Sequence, residues 1–270
     1  MARPITFLSD YGSTDEFAGV CRAVIARIAP EARMIDLGHG IARHDVRQGA
    51  TVLANAVGYA PAGVHLAVVD PGVGTPRRAV AVAAAQEDRH FVGPDNGLLS
   101  LALDRFGGAA QAVEISTSPA RLQPVSPTFH GRDLFAPVAA RLALGDPLAD
   151  HGETIDPGSL ERIDRGRPAV ADDKGLAAEV GHVDAFGNVS LIATAADADD
   201  AGLEPGRPLS VAGPRRSDEA TYALTFADAE PGAIVLVVDS ARSLALAVNR
   251  GDAASELGLA PDGEVRLRPL

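Results

Sequence analysis

VHLAVVDPGVGTPRRAVAVAAA, residues 64–85, decides the fold. The run from Val64 to Val69 is short, rich in valine and closed by Asp70, Pro71 and Gly72. That is the composition of a buried strand ending in a turn. The run from Ala79 to Ala85 alternates and also reads as extended, so two strands flank one Gly/Pro turn. The turn carries Asp70 at its start and Arg77 and Arg78 at its end. A phosphate cradle needs a Gly-rich turn that opens a helix, and an extended run after the turn weakens that reading. A structural Asp70–Arg77 ion pair and half of a catalytic site both remain. Desolvation often outweighs the attraction within a buried pair, so an acid and an arginine at a cleft carry a functional hypothesis.

On both sides of this stretch the pattern repeats as strand, then helix. PITFLSD (4–10), RMIDLGH (33–39) and HFVGPDNG (90–97) read as strands with their turns. FAGVCRAVIARI (17–28), DVRQGATVLANAVGY (45–59) and LLSLALDRF (98–106) have helical apolar spacing. This rhythm predicts a layered α/β N-terminal domain over residues 1–165. From residue 151 the text dissolves into proline, glycine and charge, and the linker is set at 166–175. Beyond it come short strands between turns: 176–193, 208–213, 220–226, 233–240, 243–249 and 264–270. The expected C-terminal domain, 176–270, is mostly β and barrel-like.

Composition narrows the chemistry. A formal net charge of −12 over 270 residues argues against a broad nucleic-acid surface. Cys21 is the only cysteine, so an intrachain disulfide and a cysteine-rich metal site are excluded, and its helical spacing marks a core position. Lys174 is the only lysine and sits in polar ADDKG, which removes a P-loop and makes Schiff-base chemistry improbable. The N-terminal stretch has no signal-peptide pattern and no apolar run approaches bilayer length, so a soluble, cytoplasmic protein is expected.

Acids collect where strands end: Asp10, Asp70, and Asp95 with Asn96. In open α/β sheets ligands bind outside the carboxyl ends of strands; each acid taken singly is equally a cap for the next turn. His130 in SPTFHGRDLFAP (126–137) stands at an open turn and is the candidate to orient or deprotonate water. His39 and His44 lack helical metal-site spacing, so no histidine metal site is expected. Oxygen ligands from the acids and Asn96 keep a metal-dependent phosphoesterase as a rival. In the β domain, Asp184 and Asn188 flank Phe186 and Gly187 at a tight turn, and Phe226 precedes another. Both have a structural explanation, a hairpin turn and a core aromatic, beside a ligand contact.

The ordered set FLSDYG, IDLGHGIARHDVRQGA, VVDPGVGTPRR, FVGPDNGLL, TFHGRD, HVDAFGNVSL and VNRGDAASELGL resembles the S-adenosyl-L-methionine (SAM) hydrolase, or SAM hydroxide adenosyltransferase, family. That family is related to fluorinase and chlorinase. The likeness spans nearly the whole chain; the commoner IDLTH segment is IDLGH here. It implies cleavage of SAM to adenosine and L-methionine by water or hydroxide, without a further cofactor. It implies catalytic roles for Asp70, Arg77 and His130, and a ribose contact at Asp10. Methionine and adenine contacts map to Asp184, Asn188, Phe226, Ser240 and the backbone near Arg250; Phe186, Asp95 and Asn96 complete the substrate-binding candidates. It also implies a homotrimer with the site at a subunit interface. The remaining rivals are a halogenase on the same scaffold and a non-catalytic adenosine- or SAM-binding protein.

Overall fold

The computed structural model describes residues 2–270. The chain divides into two compact units, one running to Asp164 and the other Arg165–Leu270.

The first unit contains β1 (Ile5–Ser9), α1 (Phe17–Ile28), β2 (Met34–Gly38), α2 (Val46–Val57), β3 (Val64–Val68), β4 (Ala79–Ala84), β5 (His90–Pro94), α3 (Ser100–Arg105), β6 (Ala109–Glu114), α4 (Ala136–Leu144) and β7 (Glu153–Ile155). The strands form one sheet in the order β2-β1-β3-β5-β4-β6-β7. The β2-β1-β3-β5 half is parallel, whereas β4 is antiparallel to β5 and β6, and β7 antiparallel to β6. All five residues of β1 and of β3 are buried, so these strands read as continuous apolar runs. Alternate residues pack to opposite faces. Phe7 and Leu66 meet α1 and α4, while Leu8 and Ala67 meet α2 and α3. The result is a three-layer sandwich.

The antiparallel setting of β4 has a direct consequence for the 69–78 turn. β3 leaves the sheet at the same rim where β4 enters it. Asp70 and Arg77 are therefore delivered to one edge without a crossover helix. Asp10 follows β1 at that rim, and Asp95 follows β5.

The second unit contains β8 (Val170–Asp172), β9 (Gly175–Val183), β10 (Val189–Thr194), α5 (Ala195–Asp200), β11 (Pro208–Ala212), β12 (Ser217–Tyr222), β13 (Ile234–Val238), β14 (Ser243–Val248), α6 (Ala253–Leu257) and β15 (Glu264–Pro269). The order β10-β14-β13-β12-β11-β15-β9 closes through a β10–β9 pairing, giving a seven-stranded barrel with β8 paired onto β9. Only β12 and β13 pair in parallel, so their connection must cross over, and it carries Phe226. The layered α/β unit followed by a β-barrel is the architecture expected from the sequence. Among the described residues no helix is long and apolar enough to cross a membrane.

One buried polar group ties β1 to β3. His65 Nδ1 lies 2.8 Å from Thr6 Oγ1, and its Nε2 is 3.1 Å from Arg89 Nη1. A guanidinium only donates, so the neutral ring accepts at Nε2 and carries its proton on Nδ1. Burial, aided by the Arg89 charge, lowers the His65 pKa to about 3. The unfolded chain binds a proton at its ordinary histidine pKa that the folded chain refuses. Stability is therefore full above about pH 6.5 and is lost as pH falls towards the folded value. The thermal midpoint should drop over that window, and His65→Gln should flatten part of the drop; an unchanged slope would exclude His65 as a source.

Candidate functional site

The Asp70–Arg77 pair is buried, its side chains only 6% and 8% exposed. Arg77 Nε donates to Asp70 Oδ1 at 3.0 Å, and Arg77 Nη2 donates to Asp70 Oδ2. This two-pronged geometry is the strong form of the arginine–carboxylate contact. Arg77 Nη1 donates to the Arg78 carbonyl at 3.1 Å, and the guanidinium carbon stands 5.5 Å from the Phe135 ring centre. Nη2 also faces His130 Nδ1 at 3.3 Å. The structure thus brings Asp70, Arg77 and His130 into one hydrogen-bonded array.

Two local features hold the His130 loop against the 70–78 turn. Gly74 has φ +77°, and a Cβ there would stand 2.6 Å from the Pro127 carbonyl oxygen, so the turn and the loop touch through backbone. Behind His130, the buried Asp133 carboxylate accepts the Ser126 N–H at 2.8 Å and pairs with Arg132. A π-helical turn, Gly131–Phe135, follows His130 and runs into α4. Such turns are frequent at functional sites.

His130 must accept from Arg77 at Nδ1. Its neutral form then carries hydrogen on Nε2. Burial first, and the Arg77 charge second, lower its pKa from the ordinary histidine value. The ring is thereby kept neutral near pH 7, with a donor at Nε2.

The array borders a cleft of about 430 Å³ whose lining includes Asp10, Tyr11, Asp15, His44, Asp70 and His130. Asp10 Oδ2 accepts the His44 N–H at 3.0 Å, presented from a left-handed backbone at φ +66°. Tyr11, Asp15 and His44 were not singled out in the sequence as cleft residues; the signal available was their adjacency to Asp10 and to the start of α2.

Asp95 and Asn96 are placed elsewhere. Asp95 lines a separate cavity of about 260 Å³, pairs with Arg78, and accepts the Glu161 N–H at 2.8 Å. Asn96 donates to the Val69 carbonyl at 2.9 Å and accepts the Leu98 N–H at 3.2 Å, shaping the turn before α3.

In the barrel, the 184–188 turn carries three of the remaining candidates, Asp184, Phe186 and Asn188. Asp184 Oδ1 accepts the N–H groups of Phe186 and Asn188, and Oδ2 accepts Asn188 Nδ2–H. About one of the four acceptor positions of this carboxylate is left over. Phe186 is 79% exposed at the tip. The Gly187 carbonyl accepts the Ala254 N–H, close to Arg250 in sequence. Ser190 Oγ donates to Asp239, the neighbour of Ser240. Asn249 Nδ2 donates to the Ala229 carbonyl at the end of the Phe226 segment.

Residues 5–152 match the SAM hydroxide adenosyltransferase N-terminal domain, and residues 178–266 match its C-terminal domain. The chain is 49% identical over 264 residues to an (R)-S-adenosyl-L-methionine hydrolase from Salinispora arenicola, covering 97% of each chain. A fluorinase from Nocardia brasiliensis is more distant, at 29% identity over 93% of this chain and 92% of its own. The solved structure of an uncharacterized conserved protein from Thermotoga maritima superposes at TM-score 0.89, with 36% identity over 98% of this chain and 99% of that one. Both domains of that family are therefore present, in order, along this chain. The chain belongs to the SAM hydroxide adenosyltransferase family.

The buried pair yields a stability prediction. Asp70→Ala leaves the Arg77 guanidinium buried without its counter-charge, a change that typically costs about 3–5 kcal/mol. Urea denaturation should show a loss of that order; a loss under about 1 kcal/mol would mean that Arg77 finds water or a new partner.

Proposed function

We propose that the protein hydrolyses SAM to adenosine and L-methionine, with water attacking C5′ of the ribose in line with the departing sulfur. The observation that carries this reading is the Asp70–Arg77–His130 array at the edge of a cleft that also presents Asp10. Asp70 orients Arg77. Arg77 fixes the His130 ring through Nδ1, and His130 Nε2–H holds the water oxygen.

The reaction converts a sulfonium cation and water into a neutral thioether, an alcohol and a proton. A strong base is not required before attack. The water becomes a strong acid once its oxygen begins to bond to carbon, and the proton leaves late. This suits a histidine that faces the water as a donor. Attraction between a carboxylate and the sulfonium is about 4 kcal/mol at 4 Å and an effective dielectric of 20. Much of that term disappears as the cation is neutralised. Alignment of the reactants can supply roughly 7–11 kcal/mol, so positioning is the larger contribution.

Asp10 is assigned the ribose hydroxyls. His44 N–H holds its Oδ2, while lone pairs on the carboxylate remain free to accept from the sugar. The barrel loops 184–188, 226–229, 239–240 and 250–252 are assigned to methionine and adenine. We assign a homotrimer in which a neighbour's barrel completes each cleft; exposed Phe186, Phe226 and Val238 supply apolar contact area. A cytoplasmic setting suits a lone buried thiol.

Incubation with SAM in oxygen-18 water should place label in the adenosine 5′-hydroxyl. Label elsewhere, or 5′-halo-adenosine in the presence of chloride or fluoride, would reject the hydrolytic assignment. Dialysis against EDTA should leave turnover unchanged. Arg77→Ala and His130→Ala should cut kcat at least a hundredfold while calorimetric SAM affinity changes little. Asp10→Ala should instead weaken adenosine binding by roughly tenfold, the loss of about 1.4 kcal/mol of hydrogen bonding. Light scattering of the eluting protein tests the trimer.

A further inference from the structure

Two consecutive residues grip the two ends of the turn that carries Asp70 and Arg77. At its start, Asn96 Nδ2 donates to the carbonyl of Val69, the residue before Asp70, at 2.9 Å. At its end, the Asp95 N–H donates to the carbonyl of Arg78, the residue after Arg77, at 2.9 Å. That carbonyl also accepts Arg77 Nη1 at 3.1 Å, so both of its lone pairs are taken. The Asp95 carboxylate holds the far end of Arg78 as well: Oδ2 accepts Arg78 Nε at 2.8 Å and Nη2 at 2.5 Å. The residue on which Arg77 leans is thus held at its backbone and at its guanidinium by a single acid.

The grip has its own support. Asp95 Oδ1 accepts the Glu161 N–H at 2.8 Å, and Arg78 Nη1 donates to Ser159 Oγ at 3.0 Å. Ser100 Oγ accepts the Ile163 N–H at 3.1 Å and donates to the Gly97 carbonyl at 2.7 Å. Gly97 has φ +91°, and a Cβ there would stand 2.7 Å from the Ile163 nitrogen, so the 159–163 segment lies against the 95–97 turn through backbone. Both Asp95 oxygens are engaged within the protein and its side chain is only 3% exposed, which suits a support and not a ligand contact. The turn it supports contains Pro71, Gly72, Gly74 and Pro76 and no helix or strand of its own. Its geometry therefore depends on what holds its ends.

We infer that Asp95 and Asn96 are positioning residues for the Asp70–Arg77 pair. Asn96 fixes the backbone before Asp70. Asp95 fixes, through Arg78, the carbonyl that orients Arg77. The consequence for turnover rests on the hydrolase reading above; the hold on Arg77 does not. A displacement of about 1 Å, caused far from the chemistry, can cost a hundredfold in rate, so a support this close to Arg77 has kinetic weight.

Asp95→Asn removes the acceptor of the Arg78 fork, and Asn96→Ala removes the Val69 contact. Each should lower kcat for adenosine release from SAM about tenfold, with KM for SAM unchanged, and should cost much less when Arg77→Ala is already present. The orientation of Arg77 is read directly by proton NMR titration of His130, which faces the charges of Arg77, Asp70 and Asp133. Arg77 helps to hold that pKa down. In Asp95→Asn a loosened Arg77 should let it rise, whereas loss of the Asp95 charge acting only through its field would lower it. Arg78→Lys keeps the charge, loses the fork and should raise it too. If Asp95→Asn does not fold, Arg78→Lys decides alone. A His130 pKa that stays or falls overturns the hold of Asp95 on Arg77. Full turnover in either clamp variant, or an equal cost with and without Arg77, overturns the positioning role of that residue and leaves the hydrolase reading standing. A wild-type protein that releases no adenosine from SAM overturns the hydrolase reading, and the His130 titration still decides the hold on Arg77.

Discussion

Burial of the Asp70–Arg77 pair is the constraint on which the rest of the site depends. A guanidinium offers five N–H donors in a fixed plane. Here two engage Asp70, one engages the Arg78 carbonyl, and Nη2 also reaches His130. With the plane fixed, the orientation of the imidazole follows, and so does its tautomer. An apolar pair of similar volume is often as stabilising as a buried ion pair, or more so. What the ion pair adds is direction, and that is what an attack in line with a leaving group requires. The topology serves the same end: a β4 that ran parallel to β3 would have carried Arg77 to the opposite rim.

The barrel loops follow a related logic. A carboxylate that accepts three hydrogen bonds from its own turn is first a structural device. Asp184 rigidifies the 184–188 turn and presents Phe186 outward and the carbonyl of Asn188's side chain unused by the turn. Asp239 does the same for its turn, accepting from Ala241, Ser243 and Ser190. This separates the two units in kind: in the first an acid orients an arginine and a histidine, and in the second the acids shape their own turns.

The sequence was legible where burial was two-sided. β1 and β3 are continuous apolar runs because both faces are covered, and α1 runs over the twelve residues its periodicity marks out. It was least legible in segments with mixed exposure. AAQAVE forms β6 although it is alanine-rich and half exposed. APVAARLAL forms α4, but its proline lies in the first turn, where a missing N–H costs nothing, and it hides a helix start. The acids at strand ends looked equivalent in one dimension. Only the fold shows that Asp95 is taken by Arg78 and Glu161, whereas Asp10 and Asp70 share a cleft. Tyr11 escaped notice because an aromatic after a strand reads as packing. Its ring does pack, against Phe7, Phe17 and Phe129.

The charge around the cleft bears on which nucleophile it admits. Asp10, Asp15 and Asp70 line it, against the nearby cations Arg43 and Arg77. Arg77 is already neutralised by Asp70, so the balance facing a ligand is negative. That balance attracts a sulfonium. An anion entering the empty cleft meets the same field with the opposite sign, and a bound sulfonium offsets it. A halide site is best made of donors and apolar walls, because a halide accepts and never donates. Water does both, and acceptors near its path let it shed a proton as the carbon–oxygen bond forms. A neutral nucleophile is indifferent to that field, whereas an anionic one is opposed by it until a bound cation offsets it.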